Sequence, residues 1–289
     1  MEQNTQPTID NIIAEDNGEV NEVETTLVNI VDVEPEDNNS IETDIQQGDL
    51  FQLGKHMLKC GDCTDNKYYN FINKPIDMLL TDPPYGVDYS SKNKFLNSLD
   101  GGDRNEKPIQ NDSIEDYRTF FYNFLTNTSP FLNDYNTTYI FMSGLELHNL
   151  RLAFEESGYK FSSYLVWLKN NHTLSRMDYN PKVEYCLYGW KNHHKFYGDF
   201  STDVLEFDKP HTSKLHPTMK PIDLLVKLIN DGSPQNGTVL DVFGGSGSTL
   251  IACEQTNRAC YMMEYDPQYC QVIINRWEEL TGKKAVKIT

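Results

Sequence analysis

A rigid, oxygen-rich corner stands at residues 81–87, where the sequence reads TDPPYGV. It directly follows an apolar run that is typical of a buried strand. Pro83 and Pro84 have a fixed φ and no N–H, so their carbonyl oxygens stand as acceptors beside the carboxylate of Asp82. Tyr85 adds an aromatic ring. These residue types indicate a clamp that accepts hydrogen bonds from a ligand.

A second candidate site is the turn in TVLDVFGGSGST, residues 238–249, where an apolar strand runs into glycines and then into a helix. Glycine lets the backbone turn tightly and approach a ligand closely. Glu264 ends the next apolar run, where an acid can accept hydrogen bonds from both hydroxyls of a ribose. Asp241, just before the glycines, would repel a pyrophosphate and attract a cationic amine. The turn therefore indicates either a purely structural feature or the site of a nucleotide-containing cofactor.

Both corners follow strands in a chain whose apolar runs alternate with helical patterns, which is typical of the βα units of an α/β fold. Strands are predicted at 56–62, 76–82, 137–144, 163–170, 183–191, 238–245 and 259–266, with a short terminal strand within 283–289. Helices are predicted at 114–126, 145–157, 221–230, 248–255 and 267–280. We expect a mostly parallel sheet with helices on both faces, whose carboxyl edge carries both corners.

The formal charge of −18 is concentrated at the amino terminus, because residues 1–49 contain fourteen acidic residues and no Lys or Arg. Without aromatic residues, this segment has too little apolar surface to order itself. We predict a disordered acidic tail over residues 1–46, either a solvating leader or a contact arm for a partner, and a catalytic domain over 47–289. The charge of the domain is close to balanced and leaves a nucleic-acid partner open.

The six cysteines lie in apolar segments, which favours reduced thiols in the cytoplasm over a disulfide framework. Cys60 and Cys63 form one CxxC pair, but neither a second pair nor spaced histidines complete a zinc site. We therefore expect no metal. The apolar runs are shorter than the roughly 20 residues of a membrane span, and the first residues lack a signal-peptide pattern.

Three motifs together identify a family. DPPY at 82–85, HPTMKP at 216–221 and DVFGGSGST at 241–249 resemble the amino-group DNA methyltransferases that use S-adenosylmethionine. The order, with DPPY first and the glycine motif last, is most similar to adenine-N6 enzymes of the permuted β class, of phage and mobile-element type. The resemblance spans roughly residues 48–289 and implies a Rossmann-like methyltransferase fold with circularly permuted motif order.

The resemblance also implies roles for individual residues. The proposed cofactor-binding residues are Asp62 and Cys63 at its adenine, His216, Thr218, Lys220 and Pro221 over its methionine end, Asp241 at its amino group, Phe243, Gly245 and Gly247 in the turn, and Glu264 at its ribose. The catalytic residues are Asp82, Pro83, Pro84 and Tyr85.

The chemistry explains the tetrapeptide. The amino group of adenine is a poor nucleophile because its lone pair is delocalised into the ring. Asp82 and the carbonyl of Pro83 can each accept one of its N–H groups and so localise the lone pair for direct displacement of the methyl group. The base must first be flipped out of the duplex, and Tyr85 is the candidate for stacking on it. Cytosine-N4 methylation and a non-catalytic DNA-binding module on a methyltransferase shell are the alternatives.

Two irregular stretches, 87–111 and 171–215, carry scattered Lys, Arg and His residues that could contact the phosphates of double-stranded DNA. We predict that 171–215 is a target-recognition insertion and that the first stretch orders on DNA. The resemblance leaves open a homodimer and a cognate restriction nuclease as partners.

Overall fold

The computed structural model describes residues 31–33, 41–85, 114–172, 178–208 and 219–288. The predicted loop at 87–111 and the predicted site residues His216 and Thr218 lie outside these ranges. Within them, no helix is long and apolar enough to cross a membrane.

The described residues form eleven strands and five α-helices. The strands are β1 (Leu50–Leu53), β2 (His56–Cys60), β3 (Ile76–Thr81), β4 (Leu132–Met142), β5 (Lys160–Leu168), β6 (Val183–Trp190), β7 (His193–His194), β8 (Val204–Glu206), β9 (Thr238–Asp241), β10 (Ala259–Glu264) and β11 (Val286–Lys287). The helices are α1 (Tyr117–Thr128), α2 (Leu147–Glu156), α3 (Ile222–Gly232), α4 (Ser248–Gln255) and α5 (Pro267–Thr281).

Every strand and helix predicted from apolar periodicity is present, with ends displaced by a few residues. The largest displacement is at β4, which begins at Leu132 because its exposed first residues are polar and give no strand signal. The short strands β1, β7 and β8 were not predicted, since two to four residues carry too little pattern. The predicted terminal strand is confirmed as β11, which pairs antiparallel with β1.

The sheet has the order β11-β1-β2-β10-β9-β3-β4-β6-β5-β8, and β7 pairs with β4 beside this path. Strands β2, β10, β9, β3 and β4 are parallel, whereas β6 runs antiparallel to both β4 and β5. From β9 the chain continues to β10 on one side, and from β3 it continues to β4 on the other. The pair β3 and β9 is thus a topological switch point, where α/β sheets bind ligands at the carboxyl ends of the strands.

Two hydrophobic cores lie on opposite faces of the sheet because successive strand residues point to opposite sides. In β3, Met78 and Leu80 belong to the core covered by α3, α4 and α5, and Leu79 belongs to the core covered by α1 and α2. The expected α/β architecture with helices on both faces is therefore confirmed. The burial is extensive, with Trp277 of α5 and Phe121 of α1 fully enclosed.

The ends of the helices follow local sequence rules. The Asp116 side chain accepts a hydrogen bond from the backbone of Thr119 and caps α1. Asp266 caps α5 in the same way, with Pro267 in the first turn, where its missing N–H has no intrahelical partner to lose. Gly282 ends α5 with a φ of 67°, a left-handed value that favours glycine.

The described parts of the segment predicted as a disordered tail contact the domain. Ile45 is buried in the core beneath α5. The Arg276 side chain of α5 donates to Asp32 Oδ1 at 2.6 Å and to the carbonyl of Val33 at 2.7 Å. Residues 31–33 and 45 thus contact a buried guanidinium and the hydrophobic core, partners that composition cannot reveal, and the disorder of the tail stays a prediction.

The segment predicted as a recognition insertion contains part of the central sheet. Strand β6 pairs with β5 from Val183 to Trp190 and with β4 from Tyr185 to Gly189. Because β6 is antiparallel to β4, its first residues lie at the carboxyl edge of the parallel strands and its last residues lie at the opposite edge. Residues 183–190 therefore belong to the central sheet, and the extent of the recognition insertion over 171–215 stays a prediction.

The contact of Asp32 with Arg276 can be tested by the substitution Asp32→Asn. Arg276 is almost fully buried, and it also donates to the backbone of Ser246 in the glycine turn. We expect the free energy of unfolding to fall by about 1.5–3 kcal/mol, the range for a hydrogen bond to a charged group. Chemical denaturation measures it.

The matched control is Glu156→Gln, which removes the exposed ion pair with Arg118. It should leave the denaturation midpoint almost unchanged, since exposed ion pairs contribute little. Equal effects of the two substitutions would contradict an ordered contact of the amino-terminal segment.

Candidate active site

The two corners predicted from the sequence lie side by side. Strands β3 and β9 are paired in parallel, with Leu79 opposite Leu240. At their carboxyl ends the hydroxyl of Thr81 donates to Asp241 Oδ1 at 2.7 Å, and both side chains are buried. This hydrogen bond connects the residue before the tetrapeptide with the residue that opens the glycine turn.

The glycine turn has backbone geometry that other residues adopt with strain. Gly245 and Gly247 have φ values of 51° and 84°. A Cβ on Gly247 would lie 3.0 Å from Ile273, and a Cβ on Gly244 would lie 2.9 Å from Met262. The Gly245 position has no atom within 4 Å of an added Cβ, so the turn exposes its backbone there.

Two carboxylates flank the turn, and neither has a cationic partner among the residues that the structure describes. Glu264 Oε2 accepts from the Gly245 N–H at 2.7 Å, and its Oε1 accepts from the Asp266 N–H at 2.8 Å. Burial raises the pKa of Glu264 to about 7, against the lowering effect of these hydrogen bonds. Burial likewise raises the pKa of Asp241 to about 7, although its hydrogen bonds with Thr249 and Thr81 lower it. Both groups are poised to bind a ligand that brings positive charge or hydrogen-bond donors.

Asp62 and Cys63 lie at the same edge, because the Gly61 N–H donates to the carbonyl of Glu264 at 2.9 Å. Asp62 Oδ1 accepts from both the N–H and the hydroxyl of Thr64, which fixes its orientation. Burial holds the pKa of the Cys63 thiol well above its usual value. Among the described residues, no group of three or more potential ligands could hold a metal ion.

Phe243 points towards the helix that follows β3. Its ring lies 5.7 Å from that of Phe120 and 5.2 Å from that of Phe124, both in α1. Such edge and tilted contacts suit the charge distribution of aromatic rings. The turn is thereby fixed from one side by α1 and from the other by Ile273 of α5.

The tetrapeptide is held by its two outer residues. The hydroxyl of Ser143 donates to the carbonyl of Tyr85 at 3.2 Å. Asp82 Oδ2 accepts from Lys220 at 2.5 Å. Asp82 Oδ1 is buried and has no hydrogen-bond partner among the described residues. A buried acceptor of this kind requires a donor, and nothing in the described chain supplies one.

Lys220, expected at the cofactor, contacts the catalytic tetrapeptide. Its ammonium group lies 2.8 Å from the hydroxyl of Tyr85 and 3.1 Å from Glu184 Oε2 in β6, besides its contact with Asp82. Pro221 is also buried and precedes α3 as its N-cap residue. Glu184 was not predicted from the sequence. An acidic residue within the otherwise apolar strand 183–190 was the only signal.

Electrostatics differ between the two halves of the site. Burial raises the pKa of Asp82 more than the neighbouring Lys220 lowers it, so the pKa lies above its ordinary value. Burial also disfavours ionisation of Glu184, but Lys220 and Lys169 overcome it and lower its pKa to about 2. Glu184 therefore stays charged at all physiological pH values, in contrast to the two carboxylates beside the glycine turn.

Several cations expected to contact DNA have other positions. Lys169 is buried in an ion pair with Glu184 at 2.5 Å. The Lys191 ammonium group donates to the carbonyl of Ser157 at 3.0 Å. His193 pairs with the first residues of β4, at the sheet edge opposite Asp82. Along β4, the partner of His193, Tyr135, and the partner of Thr81, Ile140, are about 17 Å apart at 3.3 Å per residue. Neither lysine is therefore available to contact DNA phosphates. The basic residues within 191–195 lie far from the tetrapeptide and the glycine turn.

The geometry of the glycine turn predicts different outcomes for two Gly→Ala substitutions. Gly247→Ala adds both backbone strain and contact with Ile273, and Gly245→Ala adds strain alone. Each should destabilise the fold by about 1 kcal/mol or more, with the larger loss at Gly247. Thermal unfolding measures the loss of stability, and calorimetric titration with S-adenosylmethionine measures the effect on cofactor affinity.

Gly282→Ala is the matched control, since Gly282 also has a positive φ with open space around it but ends α5. It should lower the unfolding temperature without weakening cofactor binding. Undiminished cofactor affinity in Gly247→Ala would show that the turn does not form the cofactor site.

The raised pKa values of Asp241 and Glu264 predict a pH dependence of stability. Between about pH 4 and 7 the folded protein retains protons that the unfolded chain has lost, so the free energy of unfolding falls as pH rises. The double variant Asp241→Asn, Glu264→Gln keeps an acceptor oxygen at both positions, but its amide side chains cannot ionise. Denaturation at several pH values should show a smaller fall in this variant over that range. If the free energy of unfolding fell with pH as steeply in the variant as in the wild type, the raised pKa values of these two carboxylates would be contradicted.

The chain matches the family described as DNA methylase over residues 76–276. The type II methyltransferase M2.MboI of Moraxella bovis is 25% identical over 243 residues, which cover 76% of this chain and 87% of that protein. M.HpaI of Haemophilus parainfluenzae is 25% identical over 234 residues, 72% of this chain and 69% of that protein. Both similarities extend over most of the domain.

Solved structures have the same fold. The complex of M1.HpyAVI with S-adenosylmethionine has a TM-score of 0.56 at 23% identity, covering 76% of this chain and 97% of that chain. The cytosine-N4-specific PvuII DNA methyltransferase has a TM-score of 0.59 at 15% identity, covering 78% and 89%. The Rossmann-like methyltransferase fold is thus confirmed, whereas membership of the permuted β class stays a prediction. The match over most of the domain shows that the chain belongs to the family of S-adenosylmethionine-dependent DNA methylases, which includes enzymes for adenine N6 and for cytosine N4.

Proposed function

We propose that this protein transfers a methyl group from S-adenosylmethionine to N6 of adenine at a specific site in double-stranded DNA. The observation that carries the proposal is Asp82 Oδ1, a buried acceptor without a donor among the described residues. It lies beside a glycine turn to which it is joined through the β3–β9 pair. An amino group of a flipped base would supply the missing donor.

The residues around the turn fit the cofactor. Asp241 and Glu264 are buried carboxylates without a cationic partner among the described residues, and Gly245 leaves space over the backbone. We assign Asp241 to the methionine amino group, Glu264 to the ribose and Asp62 with Cys63 to the adenine end. When bound, S-adenosylmethionine supplies a methyl group on a sulfonium. Binding would also favour ionisation of Asp241 by bringing positive charge to it.

The tetrapeptide would activate the base. Asp82 Oδ1 and the carbonyl of Pro83 accept the two N–H groups of the amino nitrogen, so that its lone pair is localised and aimed at the methyl carbon. Acceptors held in place before the reaction act where positive charge develops on the nitrogen, and one such group contributes about 10²–10³ in rate. The cofactor would supply the methyl group and keep the S–C electron pair as a neutral thioether, and the Asp82 carboxylate would take up the proton that the methylated nitrogen loses.

The base would have to leave the duplex to reach Asp82, at a cost of a few kcal/mol. Tyr85 is the proposed stacking platform, since its ring is oriented by contacts of its hydroxyl with Lys220 and Glu184. Pro84 stiffens the chain between the two functional residues. Recognition of the DNA sequence is assigned to the parts of 171–215 at the catalytic edge, together with the loop after Tyr85.

Adenine is preferred over cytosine because Asp82 opens the tetrapeptide, where cytosine-N4 enzymes more often carry Ser. PvuII methyltransferase, one of the structural neighbours, is specific for cytosine N4, so this remains the principal alternative. A non-catalytic DNA-binding module would not need the buried acceptor of Asp82.

We retain a cytoplasmic location, a homodimer and a cognate restriction nuclease as predictions. The nuclease is suggested by the type II methyltransferases among the relatives.

Product analysis tests the proposal. The purified protein is incubated with duplex DNA and S-adenosylmethionine carrying a tritiated methyl group, and the DNA is digested to nucleosides for mass spectrometry. N6-methyldeoxyadenosine in one sequence context is the expected product, and N4-methyldeoxycytidine would establish the alternative. DNA that is bound but never labelled would favour the non-catalytic module.

A further inference from the structure

Four charged side chains form a continuous buried series beside the tetrapeptide. Lys169 contacts Glu184 Oε1 at 2.5 Å, Glu184 Oε2 lies 3.1 Å from Lys220, and Lys220 contacts Asp82 Oδ2 at 2.5 Å. The charges alternate, so the series is neutral as a whole. Tyr85 joins it through its hydroxyl, which donates to Glu184 Oε2 at 3.0 Å.

Such a series is costly to bury. The side chains of Lys169 and Lys220 are only 5% and 6% exposed, that of Glu184 is 19% exposed, and that of Asp82 at the end of the series is 29% exposed. Pairing buried charges seldom stabilises a fold more than apolar side chains of the same volume would, because each charge loses its hydration. The partners come from four separate parts of the chain, after β3, after β5, in β6 and before α3. Stability alone therefore does not explain the arrangement.

We propose that Lys220 and Glu184 are positioning residues for methyl transfer: Lys220 holds one oxygen of Asp82 so that the other faces the target amino group, and Glu184 holds Lys220 and the Tyr85 hydroxyl. This inference rests on the proposed function. It removes Lys220 from the cofactor-binding set, where the sequence motif had assigned it, and it adds a residue of β6 to the catalytic machinery.

The geometry gives each member a distinct task. A carboxylate bound through Oδ2 cannot rotate freely, so Oδ1 stays buried and available. The same ammonium group donates to Tyr85 at 2.8 Å, and the acceptor and the stacking ring are therefore held by one cation. Lys169 balances Glu184, which lets Glu184 stay ionised within the protein. A one-ångström error in such a constellation can cost a large factor in rate.

The proposal makes a pH-dependent prediction. The titratable groups that face Asp82 are Lys220, Glu184 and Tyr85, with Cys186 in β6 and Asp241 in β9. Asp82 must be ionised to accept the amino N–H, so kcat falls where it becomes protonated. Lys220 lowers its pKa and Glu184 raises it. Lys220→Met should shift the acid limb of kcat to higher pH, and Glu184→Gln should shift it to lower pH.

The experiment compares both variants of the full-length protein with the wild type. Single-turnover rates of methyl transfer to duplex DNA are measured from pH 5 to 9, and the dissociation constant of S-adenosylmethionine is measured by calorimetry. We expect Lys220→Met to lower the rate by about 10²-fold, the loss typical of one preorganised polar group. Cofactor affinity should change less than about twofold in both variants, as expected for residues that act through Asp82 rather than on the cofactor.

Lys227→Met is the matched control, because Lys227 lies in α3 and forms an ion pair with Asp231 away from the tetrapeptide. It should leave the rate and its pH profile unchanged. Should Lys220→Met fail to fold, Glu184→Gln carries the test, since it keeps the shape of the side chain.

Two results would overturn the inference. The first is a tenfold or greater loss of cofactor affinity in Lys220→Met with an unchanged rate at saturating cofactor, which would return Lys220 to the cofactor site. The second is acid limbs that stay in place or shift in the same direction in both variants, as a merely structural role would give. Wild-type protein that labels no DNA would overturn the proposed function instead.

Discussion

The parallel pairing of β3 with β9 determines where the chemistry can occur. These strands are separated by about 160 residues in the chain, and the hydrogen bond from Thr81 to Asp241 fixes their ends at 2.7 Å. Each strand carries one half of the site directly after its last residue. Because the chain leaves the two strands in opposite directions, a crevice opens between their connections. The tetrapeptide and the glycine turn are functional together only through this pairing.

The two halves of the site handle negative charge in different ways. Asp82 and Glu184 are each paired with a buried lysine, and the lowered pKa of Glu184, about 2, keeps this residue charged before any ligand arrives. Asp241 and Glu264 have no such partner among the described residues, and burial raises the pKa of each to about 7. The side chains at the tetrapeptide are thus held by ion pairs. The carboxylates beside the glycine turn are suited to a ligand that brings positive charge or hydrogen-bond donors.

Local motifs could be predicted from the sequence because they depend on neighbouring residues. The tetrapeptide at 82–85 and the glycine turn reveal themselves through proline and glycine geometry, and the order of strands and helices follows from apolar periodicity. Glu184 could not be predicted as a site residue, since its role depends on the antiparallel insertion of β6 beside β4. The contact of Asp32 with Arg276 joins residues about 240 apart and has no local signature.

The central claim is that the Asp82 carboxylate holds the amino group of the target base during transfer. Rapid-quench measurement of a single turnover with Asp82→Ala, with cofactor and DNA both saturating, tests it most directly. The account predicts a rate lower by about 10²–10³, with the dissociation constants of cofactor and DNA nearly unchanged. A variant that transfers the methyl group within about tenfold of the wild-type rate would contradict it.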